Sequence, residues 1–126
     1  MSTMQVRGAP LIGATAAFGM YLGIKEGGLT PDEAAKKLLA TRPTAVNLRW
    51  ALDRVLAAID LETDAQAALN TAQAICDEDV ANCTAIGQHG MEIIRSIANE
   101  KNQTLNILTH CNAGWLATVD RGTALA

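Results

Sequence analysis

Aromatic side chains are nearly missing from this chain: Phe, Trp and Tyr together make up 3% of its 126 residues. That excludes an aromatic-rich β-sandwich. Charge is also scarce, at 18% of residues against ~25% in ordinary soluble domains. A surface so poor in charge implies that a partner covers part of it. No long apolar run exists. The longest weakly polar stretch, Ala9 to Ile24, carries three glycines and a proline and falls short of the ~20 strongly apolar residues of a membrane span. No basic segment followed by an apolar one opens the chain, so no secretion signal is read. The net charge of −3 argues against nonspecific nucleic-acid binding. Cysteines number three, Cys76, Cys83 and Cys111, an odd count. On one helix Cys76 and Cys83 stand about 10 Å apart, beyond disulfide reach. The expectation is a reduced, cytoplasmic protein.

What remains is apolar and small. Apolar residues make up 49% of the chain, and 23 residues are alanine, a composition suited to closely packed helices. The spacing predicts a first helix from Pro10 to Gly27, with Leu11, Ala14, Phe18, Tyr21 and Leu22 at helical intervals. Thr30 caps a second helix, with Pro31 at its first position and Glu33 completing a capping box, which ends near Ala40. A third helix runs from about Pro43 to Leu61, with Leu48, Leu52, Val55, Leu56 and Ile59 on one face. The fourth segment, Asp64 to Glu100, keeps an apolar seam through Leu69, Ala72, Cys76, Val80, Cys83, Ile86, Ile93 and Ile97. Unbroken, it spans about 55 Å. It therefore bends or breaks at Gly87 or Gly90, or part of it projects or packs on another chain. Leu105 to Thr109 reads as a buried strand for which the rest of the chain supplies no partner. Helical spacing resumes from Trp115 to Ala126.

Three segments carry candidate chemistry. Val6-Arg7-Gly8-Ala9-Pro10 stands at the mouth of the first helix, where free N–H groups and the helix dipole favour an anion. Arg7 adds a fork of donors, although a lone arginine there is as readily a solvated charge. Thr41-Arg42-Pro43-Thr44-Ala45-Val46-Asn47-Leu48 sets a second arginine at a helix start. The two arginines can clamp one phosphate if the helix starts converge. His110-Cys111-Asn112-Ala113-Gly114 follows the predicted strand, at the end where open α/β sheets collect ligands. A cysteine near a turn's N–H groups can act as acid, base or nucleophile; the plainer alternative is an inert thiol. His89, His110 and the cysteines lack metal-ligand spacing, so no metal and no cofactor is expected. Asp77-Glu78-Asp79 is most simply a solvated face, although Asp79 and Asn82 share a face with Cys83 and Gly87 and could be buried anchors.

These segments together, with Trp50-Ala51-Leu52-Asp53-Arg54, Glu78-Asp79 with Asn82, Ile86-Gly87, His89-Gly90 and the ending Gly122-Thr123-Ala124-Leu125, resemble the methylthioribose-1-phosphate isomerase family. The match covers nearly the whole chain, in order. The resemblance implies an aldose–ketose isomerisation of a sugar 1-phosphate in methionine salvage. The wider family includes ribose-1,5-bisphosphate isomerases and regulatory subunits of the translation-initiation exchange factor. It implies that Arg7, Gly8, Ala9 and Arg42 bind substrate and that Cys111 works in proton transfer.

The resemblance also implies a mainly α fold: a helical N-terminal domain over 1–103, and over 104–126 one short strand and helix that begin an incomplete Rossmann-like domain. The family's catalytic aspartate belongs to the remainder of that domain, and no residue here matches it. The expectation is therefore a truncated chain, inactive alone and self-associating as a homo-oligomer. A noncatalytic interaction module like the translation-initiation subunits, or a decayed remnant, is the alternative.

Overall fold

The computed structural model describes residues 1–59, 65–101 and 104–126. Four helices form the fold: α1 (Ala9–Lys25), α2 (Pro31–Leu39), α3 (Val46–Ala58) and α4 (Ala65–Lys101), followed by one 3₁₀ turn at Trp115–Ala117. The mainly helical expectation holds.

Helix α1 is the central element, packed against α2, α3 and α4. Its buried residues include Ile12, Ala16, Ala17, Met20 and Ile24; they meet Leu48, Ala51, Leu52 and Val55 of α3 and Ala68, Ala72 and Ile75 of α4 in one core. Alanine dominates these contacts because it lets helix axes approach closely at little entropic cost. At Gly13 the helix meets α3 closely: a Cβ there would stand 3.1 Å from the Asn47 carbonyl oxygen. This brings the first turns of α1 and α3 together.

Helix α2 begins as expected. The Thr30 side chain accepts from the Glu33 N–H, and Glu33 reaches back to the Thr30 N–H, with Pro31 in the first turn. Helix α3 starts three residues later than the sequence suggests. A turn closes first, with the Ala45 N–H donating to the Arg42 carbonyl at 3.1 Å. The expected end at Leu61, start at Asp64 and boundary at 103 lie outside the described residues.

Helix α4 continues through Gly87 and Gly90 without a break. Its last buried residue is Cys83, so the final turns project beyond the bundle. The later part of the apolar seam is exposed there: Ile93 is 63% and Ile97 37% accessible. The ion pair of Arg54 with Glu78 ties α3 to α4, and the Arg54 guanidinium lies 5.6 Å from the Trp50 ring centre.

Two expectations at the C-terminal end are corrected. Leu105 to Thr109 forms no strand, and among the described residues there is no sheet for it to join. A strand without a ladder leaves its N–H and C=O groups to water, which removes the reason for regular pairing. Leu108 is accordingly 98% exposed. Trp115 to Ala126 makes only the 3₁₀ turn, then a looped segment. Arg121 and Gly122 both take left-handed backbone angles, and the Thr118 hydroxyl bonds to nearby backbone groups, a local competitor to helix formation.

Candidate functional site

The two arginine segments converge. A cavity of about 310 Å³ is lined by Arg7, Ala9, Ile12, Arg42, Ala45, Val46 and Asn47. Its walls are the beginnings of α1 and α3, and neither N-cap, Gly8 nor Ala45, offers a side-chain hydrogen bond. The first amides of both helices are thus left to other acceptors, and both dipoles place partial positive charge on the same space.

Arg42 is half-buried, and its Nη1 atom is fully buried with no hydrogen-bond partner among the described residues. Burying a guanidinium nitrogen unpaired is costly, so this atom calls for an acceptor. Arg7, which also lines the cavity, is exposed. The site therefore presents two permanent cations and two helix starts whose N-cap residues give no side-chain cap, a combination suited to a phosphate dianion.

Gly8 is buried, and its role is steric. A Cβ there would collide with the backbone of Ala117. The turn that follows the His110-Cys111-Asn112-Ala113-Gly114 segment is thus seated directly on the start of α1. No spacing rule relates Gly8 to Ala117; their smallness was the only sign in the sequence. Ile12 is a cavity residue that local motif reading did not single out, whereas Asn47 belongs to the second arginine segment.

Cys111 is placed differently. It is exposed, sits at φ +68°, and is not among the residues lining the cavity. The other two thiols are covered. Burial, followed by Asp77 and Asp79, pushes the Cys76 thiol up; burial, then Asp79, does the same to Cys83. Asp79 proves an anchor, accepting the Val119 N–H at 2.7 Å, whereas Asn82 is exposed. A larger open groove of about 490 Å³ runs along the later turns of α4, between Thr84 and Arg95, and neither Arg7, Arg42 nor Cys111 lines it. No helix among the described residues is long and apolar enough to cross a membrane.

Comparison with known proteins extends this picture. Residues 5–124 match the Initiation factor 2 subunit family. A methylthioribose-1-phosphate isomerase from Rhodospirillum rubrum is 59% identical over 136 residues, covering 98% of this chain and 34% of that protein. The chain thus spans about a third of the length of the isomerases it matches. An uncharacterised protein from the petC 3′ region of Rhodospirillum rubrum is 58% identical over 130 residues, covering 93% of this chain and 70% of that shorter one. Among solved structures, the translation initiation factor eIF-2B subunit delta from A. fulgidus superposes with a TM-score of 0.77 at 36% identity, over 98% of this chain and 38% of that one.

Proposed function

Because the chain belongs to the Initiation factor 2 subunit family, we propose that it is the helical, phosphate-holding part of a methylthioribose-1-phosphate isomerase. One observation carries this reading: Arg7 and Arg42 share a single cavity between two uncapped helix starts. A scaffold that only docks proteins has no use for two arginines brought to one cavity between such helix starts.

In this reading Arg7, the Gly8–Ala9 backbone and Arg42 hold the substrate phosphate. That phosphate sits on the anomeric oxygen, so the sugar ring cannot open by the ordinary route. An acid must polarise the ring, and a proton or hydride then shifts between C1 and C2. Cys111 supplies one half of the proton transfer. The resemblance assigns the other half, an aspartate, to a domain beyond the matched third of the full-length relatives. Residues 1–103 form the helical unit, and 104–126 lead towards that domain. Alone, the 126-residue chain binds a sugar phosphate without turning it over. It needs no cofactor and works in the cytoplasm, and its exposed apolar end makes it self-associate.

A second reading, a noncatalytic interaction module or a decayed remnant, draws on the eIF-2B neighbour and on the short relative, of which this chain covers 70%. Ligand binding separates the two. A sugar 1-phosphate should raise the melting temperature of the wild type and leave Arg42→Ala unmoved. An equal response from both proteins, or from neither, favours the module.

A further inference from the structure

A carboxylate outside the cavity ties the C-terminal segment to the helices. Asp79 lies in the middle of α4, and its Oδ2 accepts the Val119 N–H at 2.7 Å. One turn further along α4, buried Cys83 lies beside Thr118. A further turn on, Gly87 lies against the backbone of Ala126. Asp79, Cys83 and Gly87 are spaced four residues apart, so one face of α4 receives the whole of this segment.

The segment is itself closed. Thr118 is 2% exposed; its hydroxyl donates to the Asp120 carbonyl at 3.0 Å and accepts the Gly122 N–H at 3.1 Å. The Thr123 N–H donates to the Ala113 carbonyl at 2.9 Å. Two residues before Val119, Ala117 presses its backbone onto Gly8, and Arg7 is Gly8's immediate neighbour. Two residues before Ala113 stands Cys111.

We propose that Asp79 is a positioning residue for the anion site: by holding the Val119 N–H it seats Ala117 on Gly8 and so fixes Arg7 and the first amides of α1. Asp79 is not among the residues lining the cavity, and what its carboxylate contributes is an acceptor rather than a charge. This rests on the reading that the cavity binds phosphate.

The test is calorimetric titration of inorganic phosphate into the full chain. Asp79→Ala should weaken binding about tenfold, equivalent to about 1.4 kcal/mol, while Asp79→Asn, whose side-chain oxygen still accepts the N–H, restores it. Arg54→Met, which breaks the neighbouring α3–α4 ion pair, should lower the melting temperature and leave phosphate affinity unchanged. Wild-type affinity in Asp79→Ala, or an equal loss in Arg54→Met, overturns the proposal. If wild type binds no phosphate, the cavity reading falls, and amide exchange at Ile12, whose N–H bonds to the Gly8 carbonyl, decides the positioning role. Faster exchange in Asp79→Ala but not Asp79→Asn supports it, and unchanged exchange refutes it.

Discussion

Among the three thiols, only Cys111 is open to solvent. Cys83 is 1% exposed and Cys76 half-covered, and burial raises both above the usual thiol range. Because the thiolate is the reacting form, this predicts one fast alkylation by iodoacetamide at neutral pH. Mass spectrometry should place it at Cys111, and Cys111→Ser should abolish it; a fast label on Cys76 or Cys83 counts against the account. The position that favoured this cysteine in the sequence was the end of a strand that does not form, so its exposure is a finding of the structure. Arg7 and Arg42 were legible, since an arginine beside a helix start is a local signal. That they face one cavity was not legible. It depends on Gly13 letting α1 and α3 meet, a long-range packing fact.

Elements were read with uneven success, and the failures share a cause. The capping box of α2 and the apolar face of α3 are encoded within a few residues, and both are present. The start of α3 shifted because the Arg42–Ala45 turn closes before helical geometry begins. The strand at 105–109 did not form because pairing needs a neighbour, and the sequence already showed that the rest of the chain supplies none. Where packing governs, magnitudes follow. Leu48 is fully buried between helices, so Leu48→Ala should cost roughly 2–5 kcal/mol in urea unfolding; a loss well under that range would mean the α1–α3 contact is not the core described.

Electrostatic links between and within elements give a pH signature. Backbone and side-chain hydrogen bonds from Thr30 hold Glu33 below its ordinary value, and the hydrogen bonds from Arg54 do the same for Glu78. A carboxylate lowered in the folded state stabilises above its unfolded pKa, near 4.5, and loses that contribution as pH falls through the lowered folded value. The double variant Glu33→Gln, Glu78→Gln should therefore show a shallower fall of melting temperature below pH 5 than wild type. Both groups are exposed, so the difference should be modest and shrink with salt. Parallel acid limbs in the two proteins would contradict this.

For the whole molecule, the scarcity of charge finds a physical place. The bundle ends at Cys83 while α4 runs on, leaving Ile86, Met91, Ile93 and Ile97 exposed beside the unpaired Leu105–Leu108 stretch. Exposed apolar surface of this kind marks an interface or an aggregation risk. Sedimentation at micromolar concentration should show self-association, and a clean monomer would oppose it. The same surface fits a chain that spans about a third of its isomerase relatives.

The central claim, one phosphate held by two helix starts, is tested most directly by titrating methylthioribose 1-phosphate into the isotope-labelled chain and following backbone amides by NMR. Shifts at Arg7 to Ala9 and at Arg42 to Asn47 should saturate together, and should vanish in Arg7→Ala and in Arg42→Ala. Shifts confined to other residues, or an unchanged pattern in Arg42→Ala, would contradict the account.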